Sequence, residues 1–478
     1  MSSWVHYTLL SFLLLINNSA FAERPNVLFI TVDDMNRDSV GAFGCPIPDI
    51  TPNIDRLASE GVKFEHAHVT IAICQPTRAV WMTGRYPHRS GALGFDPINR
   101  DVPTLLETLH DAGYYTGIMA KVSHVVPTRG KAWDYVVQAN QLKSGRDPNL
   151  YYEHAKQFFD TAAKEKRSFF LMANSQDPHR PFAGSQQETG RGNNPNARRR
   201  NENLPGVSKT YSPDEVPVPG FLPDLPEIRQ ELSEYFTSVH RADEIVGSIL
   251  KALDESGLRD NTLVMFKSDH GMPLPFAKTN CWLHSTATPW IVRWPGIVTP
   301  GRSDAEHMIA GIDFAPTILE ATGLEPLEGM DGRSFLPVLK GEKQSGRDAV
   351  FTSINGTAGK NKYPMRSVVT KSRGYIFNAW SNGETVFKNE SQAGLTMKAL
   401  RNAAQTDPEI AARVRHFLYR TPEEFYDYEN DPDALHNLID DPKYQDEIQS
   451  FRRQLREQMK ATGDDAVLNA FDAMVKIE

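Results

Sequence analysis

Two aspartates, Asp33 and Asp34, stand side by side directly after an apolar run. A cysteine follows in Cys74-Gln75-Pro76-Thr77-Arg78, and further on come Lys121 and His124, His179, Asp269 and His270, and Lys278. Adjacent carboxylates repel each other unless a counter-ion offsets the charge. Asp33 and Asp34 therefore call for a cation beside them, and carboxylate oxygens suit a hard divalent ion. Arg78, Lys121 and Lys278 are cations suited to an anionic ligand, and Arg78 brings a planar fork of donors. The chain has only three cysteines, Cys45, Cys74 and Cys281. Three make no disulfide framework, and their spacing is not that of a zinc site. Either Cys45 and Cys281 pair and Cys74 is the distinctive one, or all three are buried thiols.

The elements that must position these residues share a pattern. Asn26 to Val32 runs into Asp33-Asp34, Tyr115 to Ala120 into Lys121, Phe169 to Ala173 towards Asp177-Pro178-His179, and Leu263 to Phe266 into Asp269-His270. Short apolar runs alternating with helical segments indicate an α/β fold with a largely parallel sheet. In such sheets ligands bind at the carboxyl ends of the strands, where these polar residues lie. Apolar residues from Ile228 to Leu253 recur at spacings of three and four, which predicts a core-packing helix from Pro226 to about Leu258 and gives it no chemistry. A short helix is expected over Phe314 to Thr322. Residues 178–226 are rich in proline and contain Arg198-Arg199-Arg200, the pattern of a long surface loop. After about residue 345, short strands are expected at Ala349 to Ser353, Arg366 to Thr370 and Tyr375 to Asn378, with an amphipathic helix over Tyr444 to Met459. The expected organisation is a leader over 1–22, an α/β unit over 23–345 and a smaller α+β unit over 346–478.

Cys74-Gln75-Pro76-Thr77-Arg78 with Met82-Thr83-Gly84-Arg85, joined to Asp33-Asp34 upstream, resembles the signature of the formylglycine-dependent sulfatases of the alkaline phosphatase superfamily. The resemblance runs from Arg24-Pro25-Asn26 to the Phe425-Tyr426-Asp427 and Asn437-Leu438 segment. It implies an alkaline-phosphatase-like layered sheet flanked by helices, with a smaller C-terminal α+β domain. It also implies a sulfuric ester hydrolase in which a maturation enzyme oxidises Cys74 to formylglycine. A thiol would form an adduct with no easy exit, whereas the hydrated aldehyde has a second hydroxyl to expel sulfate. The implied metal ligands are Asp33, Asp34, Cys74, Asp269 and His270, with Ca2+ as the ion and Mg2+ or Mn2+ as alternatives. Arg78 would pin the diol, Lys121 and His124 would lie near diol and sulfate, and His179 and Lys278 would flank the leaving group. Asp177-Pro178-His179-Arg180, Lys278-Thr279-Asn280 and Tyr363-Pro364-Met365-Arg366-Ser367-Val368 are most similar to the heparan N-sulfatase type. His270 in place of that type's Asn, and His124 three residues after Lys121 rather than two, leave the sugar open between a heparan-type sulfamate and an algal polysaccharide O-sulfate. A phosphonate or phosphodiester hydrolase of the same superfamily would share the metal site; relative turnover of aryl sulfate and phosphodiester separates the two.

Bulk composition sets outer limits. The 478 residues are 40% hydrophobic and 23% charged, ordinary globular values. A net charge of −8 and a pI near 6.0 argue against nucleic acid as a partner, and any anionic substrate must meet a local basic pocket. Tyr7 to Ile16 followed by Ala20-Phe21-Ala22 reads as a secretory leader, so the protein is expected to be exported, to the periplasm or beyond. The run is too short for a membrane span, which needs about 20 apolar residues. The expected partners are a sulfated saccharide and the maturation enzyme.

Overall fold

The computed structural model describes residues 24–125, 129–188 and 204–477. The expected leader and the Arg198-Arg199-Arg200 run lie outside the described residues.

Along β1 (Asn26–Val32) every residue is buried, so both faces of the strand are covered. Leu28, Ile30 and Val32 point into one apolar cluster and Val27 and Phe29 into another, as the two-residue period of a strand requires. β1 is thus an interior strand. The others in the first part of the chain are β2 (Val62–Phe64), β3 (Ala67–His68), β4 (Tyr115–Met119), β5 (Tyr135–Val137), β6 (Phe169–Asn174), β7 (Thr262–Ser268), β8 (Trp290–Arg293), β9 (Arg302–Asp304) and β10 (Ile309–Ala310). Eight of them form one sheet in the order β5-β4-β6-β1-β7-β8-β2-β9. It is parallel from β5 to β7, antiparallel where β8 meets β7 and β2, and parallel again between β2 and β9. β3 and β10 pair apart from it.

Helices cover both faces. Pro148–Glu165 and Pro226–Glu255 bury Phe158, Ile228, Tyr235 and Val246 against one face. Leu105–Asp111 and Phe314–Ala321 bury Leu106, Leu109, Phe314 and Ile318 against the other. The four expected strands and both expected helices are present, with ends shifted by a few residues. Among the described residues, 204–225 contain no helix or strand.

The last third of the chain builds a second, antiparallel sheet from β11 (Ala349–Gly356), β12 (Lys362–Thr370), β13 (Arg373–Asn378) and β14 (Glu423–Asp427). One face, with Val368, Tyr375 and Phe377, packs on the helix Gln445–Thr462 through Phe451 and Leu455. The other, with Met365, Val369, Ile376 and Tyr426, belongs to the same apolar cluster as β1. The small sheet is therefore welded to the large one. β14 and the helices Leu395–Ala403 and Pro408–Tyr419 were not anticipated from the sequence. All three cysteines are free, which removes the pairing of Cys45 with Cys281. No described helix is long and apolar enough to cross a membrane.

Candidate active site

The parallel strands β6, β1 and β7 are in register, with Thr31 beside Asn174 and Val32 beside Ser268. Asp33 and Asp269 therefore leave the sheet at the same edge, tied by an Asp269 N–H to Val32 carbonyl bond of 3.2 Å. The next residue, Asp34, turns sharply: its φ of 66° lies in the left-handed region, which Asp tolerates better than most residues. Its N–H donates to Asp269 Oδ1 at 3.0 Å, bringing two carboxylates together. Lys121, after β4, also has a left-handed φ, 52°. Two such residues at one strand edge are stored strain of the kind found at functional sites.

Cys74 is the first residue of the helix Cys74–Thr83, all of whose residues are buried. Its Sγ sits at the positive end of the helix dipole, 3.3 Å from His270 Nε2. Burial pushes the thiol up to about 12 against the opposing pull of Lys278, so the unmodified side chain is protonated at neutral pH. The helix ends at Gly84, whose φ of 61° allows its N–H to cap the Val80 carbonyl. A side chain there would meet Met330 as well as backbone strain. The Thr-Gly-Arg tail of the motif thus terminates the helix that carries Cys74 and Arg78.

Arg78 lies one turn on. Its Nη2 donates to Asp33 Oδ1 at 2.6 Å and reaches Asp269 Oδ2 at 3.4 Å, and its Nη1 donates to Asn174 Oδ1 at 2.5 Å and Thr31 Oγ1 at 3.2 Å. One guanidinium thereby ties the ends of β1, β6 and β7. Lys121 pairs with the other oxygen of Asp33. Burial would raise the Asp33 carboxyl, but Lys121 and Arg78 outweigh it and hold the group ionised far below its usual range. Asp34 behaves alike: burial opposes, and Lys278, donating to both its oxygens at 3.0 and 3.1 Å, wins. Asp269 differs. Burial and the neighbouring Asp33 push its carboxyl up, the mark of negative charge short of a counter-ion.

Asp34, Cys74, Asp269 and His270 each present a donor atom within 4.8 Å of the others, all buried. His270 Nδ1 bonds the Gly271 carbonyl at 3.0 Å, which leaves Nε2 with its lone pair towards this group. Two carboxylates, an imidazole and a sulfur position around one point are a donor set that fits a divalent cation. Asp33 borders the group, with Oδ1 on Arg78 and Oδ2 beside Lys121, and each oxygen keeps a second lone pair.

His179 and Lys278 approach from the side. His179 Nε2 is 4.0 Å from Asp34 Oδ2, and burial lowers the imidazole to about 4 despite Asp34. Lys278 is held protonated: burial opposes its charge, but Asp34 prevails. His124 lies in the short helix Val122–Val125, its Nδ1 buried without a partner, and burial with Lys121 lowers the ring to about 3. All the expected site residues thus gather at one end of the sheet.

Three further residues were missed. Asp177, buried, is clamped by Arg146 and by Arg241, whose Nε and Nη2 bond it at 2.6 and 3.1 Å. Arg241 belongs to the helix Pro226–Glu255, read from sequence as core only; Glu231 and Ser238 on the same helix bind Arg180 at 2.6 Å and the Ala183 N–H at 2.7 Å. The helix therefore grips the segment around His179 at both ends. Glu390, from the chain between β13 and β14, pairs with Lys278. Buried polar residues at helical spacing could have revealed Arg241; nothing in the sequence marks Glu390.

A family model described as sulfatase matches residues 25–324. The chain belongs to the sulfatase family. It is a sulfuric ester hydrolase. The sulfatase is 29% identical over 95% of its length to human N-sulphoglucosamine sulphohydrolase, spanning 93% of that relative. It is 27% identical over 95% of its length to an ulvan-active sulfatase of Formosa agariphila, spanning 78% of it. Its fold matches a solved structure in complex with its substrate D-glucosamine-2-N,6-O-disulfate, with a TM-score of 0.69, 18% identity, and 92% and 98% of the two chains covered.

Proposed function

We propose that this sulfatase is exported by its 1–22 leader and removes sulfate from a sulfated saccharide, using a formylglycine made from Cys74 by a maturation enzyme. The observation that carries the reading is the buried convergence of Asp34, Cys74, Asp269 and His270, ringed by Arg78, Lys121 and Lys278. Oxidised and hydrated, residue 74 would offer two hydroxyls on one carbon, one to attack sulfur and one to re-form the carbonyl as sulfate leaves. Asp34, Asp269 and His270, with residue 74 and Asp33, would hold a divalent cation, Ca2+ by the oxygen-rich donors, which lowers the pKa of the nucleophile and offsets charge on the sulfate.

The chain's own side chains do the rest. Arg78 fixes residue 74 against Asp33 and, with Lys121, gives the sulfate a cationic bed. His124 borders that bed. Bond cleavage leaves charge on the departing sugar atom, which Lys278, held protonated beside Asp34, relieves by donating a proton from Nζ, or His179 relieves from Nε2 once its ring is doubly protonated. We take 23–345 as the catalytic α/β unit and 346–478 as the α+β unit that closes the site. Supporting a saccharide are the names of the two relatives, one on a glucosamine sulfamate and one on ulvan.

Mass spectrometry of the peptide carrying residue 74, after co-expression with a formylglycine-generating enzyme, tests the reading. The expected result is the mass of formylglycine in place of cysteine together with sulfate release from a sulfated sugar. A protein that releases sulfate with residue 74 wholly unmodified overturns it.

A further inference from the structure

A cavity of about 300 Å3 opens over the site, lined by Cys74, Phe95, Thr279, Asn361, Lys388 and Glu390. Three of these come from beyond residue 324, where the family match ends. Glu390 is the unexpected one. A carboxylate at the mouth of an anion site repels the sulfate it should admit. Nor is it required as a counter-charge, because Lys278 already meets both oxygens of Asp34. Yet Glu390 sits on Lys278, with a carboxylate oxygen within 4.8 Å of donor atoms of both His179 and Asp34. Its side chain is 39% exposed, so it also faces what enters.

The position has a chemical meaning if His179 and Lys278 flank the leaving group, as proposed above, and the inference rests on that reading. A sulfate ester presents an oxygen without hydrogen at the point of cleavage, which a carboxylate repels. A sulfamate presents an N–H there, which a carboxylate accepts. On cleavage the S–N electron pair stays on nitrogen, which takes a proton from His179 or Lys278 and leaves as an amine. The amine then takes a second proton from water, and the resulting ammonium pairs with a carboxylate. We propose that Glu390 is a specificity-determining residue that selects sulfate carried on nitrogen over sulfate carried on oxygen. Charge-assisted hydrogen bonds of this kind are about twice as strong as neutral ones.

The test compares kcat/KM of the matured wild type, Glu390→Gln and Glu390→Asp on N-sulfoglucosamine and glucosamine 6-O-sulfate. Competitive inhibition by glucosamine and by glucose is measured alongside. The wild type should prefer the sulfamate. Glu390→Gln should lower the sulfamate-to-ester ratio by on the order of tenfold and weaken glucosamine relative to glucose by a similar factor; Glu390→Asp should fall between. A wild type that prefers the ester, or a Glu390→Gln ratio equal to the wild type's, overturns the inference while leaving the sulfatase reading intact. A wild type inert on every sulfated sugar fails that reading instead, and the glucosamine-to-glucose binding ratio still judges Glu390.

Discussion

On the Cys74 side of the site, Asp33, Asp34, Asp269, His270 and Arg78 come from the ends of β1 and β7 and the first turns of one helix, and every one is buried. On the Lys278 side, His179 and Lys278 arrive on loops and Glu390 on a short 3-10 turn, and His179 and Glu390 keep 27% and 39% of their side chains exposed. In-register parallel strands cannot shift one end without shifting the whole sheet, so groups needing sub-ångström placement belong there. Loops can differ from one sulfatase to another without disturbing the sheet. The sheet therefore fixes the buried groups, whereas on the Lys278 side the C-terminal segment enters through Glu390.

The comparison breaks first at Cys74. Cys74→Ala should fold with a circular-dichroism spectrum and melting temperature close to wild type yet lose on the order of 10⁴-fold or more in kcat. Near-wild-type turnover would sink the covalent mechanism. Metal removal should come next. Dialysis against a chelator should cost on the order of 10³-fold in kcat, restored by Ca2+, and lower the melting temperature because the ion binds only the folded chain. Chelation that changes neither rate nor melting point removes the cation from the Asp34–Asp269–His270 group.

Smaller effects should sharpen the contrast between the sides. A 4-nitrophenyl leaving group hardly needs protonation, whereas a sugar alkoxide or amide does. If one of His179 and Lys278 is the general acid, replacing it by Ala should cost on the order of a hundredfold more on a sulfated sugar than on 4-nitrophenyl sulfate. Kinetics on both substrates decide it: equal losses for both variants would point to His124 as the acid.

How much of this was legible in the sequence follows the same divide. Asp33-Asp34, Lys121 and Asp269-His270 could be read because apolar runs end in polar residues at one sheet edge. Asp34 and Lys121 nevertheless take left-handed backbone angles that no residue type announced. β14 escaped notice because buried Glu424, bonded to Arg420 at 2.6 and 2.8 Å, interrupts its apolar pattern. That pair also joins the C-terminal segment to the Lys278 loop, since Arg420 donates to Asn280 Oδ1 at 2.6 Å. Such contacts span more than a hundred residues of chain, and no local pattern encodes them. Glu390 is illegible for the same reason: its meaning lies wholly in its distance from Lys278.

The smallest effect should come from Arg241→Lys, which touches neither metal ligands nor nucleophile. Arg241 is fully buried and binds Asp177 through two nitrogens, with Glu188 at 2.9 Å from Nη2. Lysine keeps the charge but cannot reproduce the planar fork, so one oxygen of Asp177 loses a donor. The stability cost should be about 1–2 kcal/mol, read as a modest fall in denaturant midpoint. Asp177 precedes His179 by two residues, and Arg146 holds both Asp177 and the His179 carbonyl, so a loosened clamp displaces the imidazole. Turnover of a sulfated sugar should fall about tenfold, within what small misplacements cost, while 4-nitrophenyl sulfate turnover falls less. The Asp177 carbonyl also accepts the Asp33 N–H at 3.2 Å, a backbone link between the clamp and the Cys74 side. If both substrates lost equally, the disturbance would have crossed that bond, and the two sides would have to be treated as one mechanical unit.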